Sequence, residues 1–172
     1  MLFRSGAAPH HLGKTAQAED WARANVRAWT SVGDIDAVVI NASGCGTTVK
    51  DYGAMFGDDP AWKERAERVS RLARDVSEVM LEVGLVNVTP RPLTVAYHSA
   101  CSMQHGQKIN EPPKKLLRDA GFVVKDVPEG HLCCGWAGTY QVMQPVLSRR
   151  LRDRKIANIE SVKPDKIGRA HV

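Results

Sequence analysis

Residues His131–Gly138 read HLCCGWAG, a stretch that combines two adjacent cysteines with two glycines. Neighbouring side chains of an extended backbone point to opposite faces, so Cys133 and Cys134 can reach one target only from a turn or loop. Gly135 and Gly138 can supply that turn, because glycine adopts positive φ and lets the backbone approach a bulky group closely. The pair alone leaves two interpretations open, a thiolate-bound metal centre or two buried, inert thiols.

The composition is that of an ordinary globular protein. Of the 172 residues, 43% are hydrophobic and 25% are charged, which are usual values for a soluble domain. No apolar run approaches the roughly 20 residues of a membrane span, and the start of the chain does not resemble a signal peptide, so we expect a cytoplasmic protein. In a reducing cytosol, cysteines indicate metal ligands or redox groups rather than disulfides. The net charge of +5 comes without a basic run that includes aromatic residues, which argues against nucleic-acid binding.

Both ends of the chain match a common sequencing adapter. Met1–Ser5 can be encoded by GTG-CTC-TTC-CGA-TCT, with GTG as the initiator codon, and Ile167–Val172 by ATC-GGA-AGA-GCA-CAC-GTC. The two strings are reverse complements over their shared length. We therefore expect residues 1–5 and 166–172 to be adapter read-through, with Lys166 at the junction, and not to belong to the natural protein.

Helices and strands alternate along the chain, and every cysteine follows a strand. The hydrophobic spacing predicts helices over 15–32, 47–55, 61–83, 112–120 and 144–160, and short strands over 37–40, 93–98 and 122–127. Cys45 follows the first strand, Cys101 the second, and Cys133 and Cys134 the third. Because the carboxyl ends of parallel strands meet at one edge of a sheet, we expect Cys101, Cys133 and Cys134 to converge on one centre.

The chemistry of that centre stays open at this point. Soft thiolate ligands favour zinc or an iron–sulfur cluster. No C-x-x-C pair occurs in the sequence, which argues against a structural zinc site. A catalytic cysteine is the third alternative, but nothing beside Cys45 or Cys101 supplies the base it would need. His98 and His105 flank Cys101 without a partner at ligand spacing, so we interpret them as structural histidines.

Three strings carry a family resemblance. They are NASGCGTTVKDYG over Asn41–Gly53, YHSACSMQHGQK over Tyr97–Lys108 and HLCCGWAGTY over His131–Tyr140. Together they closely resemble the family of glycolate oxidase iron–sulfur subunits. More broadly they are similar to the cysteine-rich CCG domains shared with heterodisulfide reductase B-type subunits and the iron–sulfur subunit of anaerobic glycerol-3-phosphate dehydrogenase. The likeness covers residues 6–165 and lacks the family's amino-terminal ferredoxin-like region.

The resemblance implies an α/β fold of parallel-sheet CCG domains, with one partial unit and most of a second. The tail of the first unit would span residues 6–60, a connecting helix and linker 61–92, and the second, truncated unit 93–165. The implied metal ligands are Cys45, Cys101, Cys133 and Cys134, with Gly135 beside the cofactor. Some members carry a further cysteine just before the Cys101 position, where this chain has serine and alanine.

The resemblance also implies a function. The chain would be the electron-transfer subunit, with an iron–sulfur cluster of the 4Fe–4S type, of a flavin-dependent oxidase of glycolate or another 2-hydroxy acid. The FAD would lie on a partner dehydrogenase subunit, and the chain itself would hold no catalytic residue and bind no membrane except peripherally. A heterodisulfide reductase B-like subunit and an anaerobic glycerol-3-phosphate dehydrogenase subunit are the redox alternatives. A structural zinc module is the alternative from a different class.

The two CCG units predict a further ligand when they are placed in register. Cys45 lies 39 residues after Gly6, and the same step from Gly135 reaches position 174, two beyond the last residue. Asp36 precedes Cys45 by nine residues, as Asp165 precedes position 174. We expect the uninterrupted gene to encode a short apolar strand and a cysteine at position 174, give or take one residue. A thiolate cluster takes about four cysteines, so we expect this chain alone to bind iron poorly.

Overall fold

The computed structural model describes residues 4–136 and 138–169, which form two compact units. Unit 1 runs up to Val79 and unit 2 begins at Met80. Both units combine helices with short strands that pair in parallel. This confirms the predicted α/β class with parallel sheets. The domain limits proposed from the resemblance, 6–60 and 93–165, stay a prediction.

Unit 1 contains a two-stranded parallel sheet with helices around it. Its helices are α1 (Ala7–His11), α2 (Thr15–Thr30), α3 (Ser43–Lys50), α4 (Tyr52–Met55) and α5 (Lys63–Leu72), and its strands are β1 (Val38–Ile40) and β2 (Ala73–Asp75). In the sheet, Val38 lies opposite Ala73 and Ile40 opposite Asp75. The predicted helix over 15–32 and strand over 37–40 are confirmed as α2 and β1.

The predicted single helix over 61–83 is wrong. Helix α5 ends at Leu72, β2 follows, and a new helix, α6 (Val76–Val83), begins directly after it. A capping box makes the break, because the Asp75 carboxylate accepts a bond from the Ser77 N–H at 2.8 Å while the Glu78 carboxylate accepts one from the Asp75 N–H at 2.8 Å. The sequence signal is Asp75-Val76-Ser77-Glu78, an N-cap residue followed three positions later by glutamate.

The helix predicted over 47–55 is also corrected. Helix α3 begins earlier, at Ser43, and the segment divides at Asp51, with α4 following. Two hydroxyl groups on α3 bond to carbonyls one turn back, Thr47 to Ser43 at 3.0 Å and Thr48 to Gly44 at 3.2 Å. These threonines therefore lie inside the helix rather than capping its start.

The core of unit 1 centres on Tyr52, which is fully buried in a cluster with Val26, Val49 and Phe56. Its hydroxyl donates to the Ser5 carbonyl at 2.7 Å and accepts from the Asn25 amide at 2.9 Å. Burial raises the pKa of Tyr52 to about 12, the Asn25 hydrogen bond opposes that rise, and the nearby Cys45 adds to it. The contact to Ser5 uses its backbone, so it would form whatever the side chain at that position.

Tyr52 should therefore give unit 1 a dependence on alkaline pH. The folded-state pKa of about 12 lies above the ordinary value of about 10, so the unfolded chain loses this proton first. The contribution of Tyr52 to stability is complete below about pH 10 and is lost as pH rises towards 12, at about 1 kcal/mol per pH unit. Urea unfolding from pH 9 to 11 measures this, and the Tyr52→Phe variant should lack that part of the slope. If the free energy of unfolding of the variant depends on pH as steeply as that of the unchanged chain, the assignment to Tyr52 is contradicted.

Unit 2 contains a three-stranded parallel sheet in the order β4-β3-β5. The strands are β3 (Thr94–His98), β4 (Val123–Asp126) and β5 (Lys166–Arg169), and the helices are α7 (Glu111–Asp119), α8 (Tyr140–Met143) and α9 (Pro145–Ser161). The central strand β3 is buried from Val95 to His98. The predicted strands over 93–98 and 122–127 and helices over 112–120 and 144–160 are confirmed.

Strand β5 lies within the segment that we expect to be adapter read-through. It pairs with β3 so that Val95 faces Lys166 and Tyr97 faces Gly168. Backbone pairing requires no particular side chain, so the strand does not test the origin of these residues. Among the described residues, none of the helices has the length and apolar character of a membrane span.

Candidate metal centre

The cysteines of unit 2 follow the carboxyl ends of two paired strands. β3 ends at His98 and β4 at Asp126, and the two run parallel. Cys101 opens a single π-helical turn, Ser102–Gly106, rather than lying in an irregular loop. Cys133 and Cys134 lie in the segment between β4 and α8. The parallel topology thus carries both segments to one edge of the sheet, as the sequence predicts.

The three thiols of this edge lie close enough to affect one another. Burial raises the pKa of the Cys101 thiol, and the neighbouring sulfurs of Cys133 and Cys134 raise it further. A hydrogen bond from the Cys134 backbone acts in the opposite direction. All three cysteines are half-buried and free of disulfides. We refer to Cys101, Cys133 and Cys134 as the thiol trio.

The thiol trio does not form a closed metal site by itself. Across residues 4–136 and 138–169, no three His, Cys, Asp or Glu side chains are spaced to hold one metal ion. The interactions that raise the pKa of Cys101 therefore report proximity of the sulfurs, not coordination geometry.

Gly135 fixes the turn that presents the cysteine pair. Its φ is 86°, in the left-handed region. A β-carbon at this position would overlap the Ser148 carbonyl oxygen of α9 and lie 3.1 Å from the carbonyl carbon. The Ser148 hydroxyl donates to the Gly135 carbonyl at 2.8 Å, and the Gly135 N–H donates to the Cys133 sulfur at 3.3 Å. The glycine thus lets the cysteine loop lie directly against α9.

Helix α9 also holds the turn that precedes the cysteine pair. The Glu129 carboxylate pairs with Arg154 and accepts from the Asn158 amide at 2.8 Å. These partners, Arg154 first, lower the pKa of Glu129 to about 2. The Lys155 ammonium donates to the carbonyls of Glu129 at 3.0 Å and Gly130 at 3.2 Å. These contacts, which we call the clamp, have no local signal in the sequence, because their partners are 25 to 29 residues apart and only the fold joins them.

The histidines beside Cys101 have structural surroundings. The His105 ring Nε2 lies 3.2 Å from the His131 carbonyl oxygen, which ties the π-helical turn to the cysteine loop. The Gln104 amide does the same by donating to the Gly130 carbonyl at 3.2 Å. His98 is buried at the end of β3. The hydrogen bond of His105 agrees with its interpretation as a structural histidine.

Cys45 lies in unit 1 and has different surroundings. It lies in the first turn of α3, not in the loop that the sequence predicts between strand and helix. It is half-buried and close enough to Tyr52 to raise the pKa of that phenol. A groove of about 550 Å³ in the same unit is lined by Arg27, Arg65, Arg68 and Arg71, but not by Cys45.

Comparison with known proteins agrees with this architecture. A model of the CCG cysteine-rich domain matches residues 5–50 and 95–170. The chain is 40% identical over 170 residues to the glycolate oxidase iron-sulfur subunit of Escherichia coli K12, covering 97% of this chain and 42% of that protein. It is 29% identical over 163 residues to lactate utilization protein A of Geobacillus thermodenitrificans NG80-2, covering 93% of this chain and 67% of that protein.

A further relative is the probable glycolate oxidase iron-sulfur subunit of Bacillus subtilis 168, which is 29% identical over 160 residues. Those residues make up 91% of this chain and 36% of that protein. This chain therefore spans about two fifths of the length of the two glycolate oxidase relatives. The two matched segments of the domain model include Cys45 in the first and the thiol trio in the second. With the parallel sheets, this confirms the predicted resemblance: the chain belongs to the CCG cysteine-rich domain family.

Proposed function

We propose that this chain is the iron–sulfur electron-transfer component of a flavin-dependent complex that oxidises a 2-hydroxy acid. The observation that carries the proposal is the convergence of the three thiols of Cys101, Cys133 and Cys134 at one edge of the unit 2 sheet. The relatives named for glycolate oxidase and lactate utilization support it. Glycolate and lactate are both 2-hydroxy acids, so the proposal names the class and not one member.

The residues of the site fit an iron–sulfur cluster in their chemistry. Thiolates are the usual ligands of such clusters, and backbone hydrogen bonds to the sulfurs adjust their potential. The thiol trio supplies three donors, and the Gly135 N–H already donates to the Cys133 sulfur. A 4Fe–4S cluster takes about four cysteines, so the proposal includes a fourth ligand near position 174. Cys45 is proposed as a ligand of a separate centre in unit 1.

When bound, an iron–sulfur cluster supplies one-electron transfer. The chain's own residues affect the protonation of the thiols and hold the cysteine loop in position. Each thiol must release its proton on binding metal. Burial and the neighbouring sulfurs raise the pKa of the Cys101 thiol in the chain without metal. The hydrogen bonds from Lys155 to the carbonyls of Glu129 and Gly130 hold the cysteine loop against α9. The hydroxy acid would lose a proton from its hydroxyl and a hydride from its α-carbon, the hydride passing to FAD on a partner dehydrogenase subunit.

A structural zinc module is the alternative from another class, since three thiols and one further ligand also suit zinc. Within redox proteins, a heterodisulfide reductase B-like subunit and an anaerobic glycerol-3-phosphate dehydrogenase subunit are the alternatives. Neighbouring genes separate these, because a flavin dehydrogenase gene beside this one favours 2-hydroxy acid oxidation. The proposal also includes peripheral attachment of the complex to the inner face of the membrane.

Metal analysis tests the proposal. Full-length protein purified without oxygen should contain iron and acid-labile sulfide. Zinc without iron or labile sulfide would exclude electron transfer and favour the structural module. The 172-residue chain alone should not oxidise glycolate with an artificial acceptor, because its sequence contains no flavin-binding pattern. Robust turnover by the purified chain would contradict the proposal that a partner subunit holds the FAD and oxidises the hydroxy acid.

A further inference from the structure

A polar cavity lies beside the thiol trio in unit 2. It encloses about 240 Å³ at the carboxyl ends of β3 and β4, and no cysteine lines it. The residues that matter for its chemistry are Ser99, Asn110, Lys114, Asp126, His131 and Lys155. Crevices outside the carboxyl ends of parallel strands are the usual ligand sites of open α/β sheets. We call this feature the Lys155 cavity.

The lining of the Lys155 cavity is positively charged. Lys155 is only 4% exposed, and its ammonium donates to two backbone carbonyls, those of Glu129 and Gly130. No ion pair of Lys155 with a carboxylate is found in the part of the chain that the structure describes. Buried charges are normally paired, because burial removes the solvation of the ammonium. An anion in the cavity would supply the missing partner.

The second ammonium of the lining is only partly neutralised. Lys114 pairs with Asp126 at 2.6 Å and with Glu111, outside the lining, at 3.7 Å. These carboxylates are 72% and 69% exposed, so both are screened by water. The lining therefore presents two ammonium groups against one exposed carboxylate. This balance suits a ligand with a single negative charge better than one with several.

Hydrogen-bonding groups and apolar surface complete the cavity. The buried Ser99 hydroxyl oxygen has no hydrogen-bond partner among the described residues. Asn110, Val127 and Tyr97 belong to the same lining, and the last two are residues with apolar side-chain atoms. Such a wall suits a ligand that has a carbon skeleton as well as acceptor oxygens.

We propose that the Lys155 cavity binds a small monocarboxylate, with the carboxylate facing Lys155 and Lys114 and the carbon skeleton against Tyr97 and Val127. The inference goes beyond the proposed electron-transfer role and does not depend on it, because the cavity residues include no cysteine. Inorganic phosphate shares the oxyanion chemistry but lacks a carbon skeleton, so the test compares the two.

Titration of the nitrogen-15-labelled chain with propionate, followed by amide chemical shifts, tests the proposal. Propionate should shift the amides of Ser99, Gly130 and His131 saturably. Propionamide, its neutral analogue, should not, and phosphate should bind more weakly. Absence of a saturable shift, equal binding of propionamide, or tighter binding of phosphate than of propionate would each overturn the proposal.

Two lysine variants separate the site from general charge effects. Lys114→Met should weaken propionate binding by about tenfold, the effect of one charged hydrogen bond. Lys115→Met is the matched control, because Lys115 is the next residue of α7, is 57% exposed and pairs with Asp119 outside the cavity. It should leave the affinity unchanged. Equal losses in both variants, or none in either, would overturn the proposal.

Lys155→Met should weaken propionate binding at least as strongly as Lys114→Met. Lys155 also holds the turn at Glu129 and Gly130, so its replacement could act through that turn. The Ser99→Ala variant is therefore measured as well, because the Ser99 hydroxyl makes no hydrogen bond to the turn. The serine variant should also bind propionate more weakly, since it removes a neutral donor. Undiminished affinity in both the Ser99→Ala and the Lys155→Met variants would overturn the proposal.

Discussion

The Cys133→Ser variant is expected to bind Cd²⁺ about 100-fold more weakly than the unchanged chain. Cd²⁺ is a soft ion that selects thiolates, and the interactions of the Cys101 thiol place the sulfurs of Cys133 and Cys134 near it. We therefore expect the three thiols to bind one Cd²⁺ ion after rearrangement of their side chains. Loss of an outer-shell partner of a metal ligand already costs about 10- to 100-fold in affinity, so loss of a ligand should reach at least the upper end. Competition with a chromophoric chelator measures the affinity, and Cys101→Ser and Cys134→Ser should behave alike.

Alkylation gives an independent measurement of the same arrangement. Bound Cd²⁺ should protect Cys101, Cys133 and Cys134 from iodoacetamide together, as read by mass spectrometry of the modified peptides. Cys45→Ser is the control, because Cys45 lies in unit 1 and in a different helix. It should leave the affinity of the thiol trio unchanged. A loss in Cys45→Ser equal to that in Cys133→Ser, or protection of one thiol at a time, would contradict the assignment.

Proximity of the thiol trio could be predicted from the order of elements alone. Cys101 follows β3, and Cys133 and Cys134 follow β4. Parallel strands with helical connections necessarily carry the segments after them to the same edge, whatever the details of each segment. Topology thus determined that the thiols lie near one another. Their coordination geometry depends on side-chain rotamers and a bound ion, which a sequence pattern does not specify.

The break in the predicted helix over 61–83 escaped the hydrophobic pattern for a physical reason. Strand β2 is only three residues long, Ala73–Asp75. The apolar positions on both sides keep a helical spacing, so the strand is too short to interrupt it. Its local cause, the capping box of Asp75 and Glu78, is visible in the sequence. The residues Asp75 and Glu78 therefore predict a helix start inside the longer helical pattern.

The clamp on the cysteine loop could not have been predicted in this way. Arg154, Lys155 and Asn158 lie on a helix with many charged residues, a pattern typical of a solvated surface. In the structure Lys155 is buried, and all three contact the turn at Glu129 and Gly130. These contacts depend on the register of α9 against the cysteine loop. That register follows from the approach of Gly135 to Ser148, which is a tertiary feature.

The Gly135→Ala variant is expected to destabilise unit 2 by about 3 kcal/mol, combining a left-handed backbone with steric overlap. The φ of 86° already strains any residue with a β-carbon. The added carbon would in addition overlap the backbone carbonyl of Ser148, which cannot move unless α9 moves with it. Such a shift would also break the 2.8 Å bond from the Ser148 hydroxyl to the Gly135 carbonyl. Urea unfolding measures the loss, with hydrogen exchange of the β3 amides reporting on unit 2.

Gly138→Ala is the matched control for this effect, since it isolates backbone strain from overlap. Gly138 has a φ of 53°, and a β-carbon there would meet nothing within 4 Å. This variant should lose only about 1 kcal/mol, the usual cost of a left-handed residue that is not glycine. Equal losses in the two variants would show that the contact with Ser148 contributes nothing. A larger loss at Gly135 would instead identify that contact as the element that holds the cysteine loop, and with it Cys133, against α9.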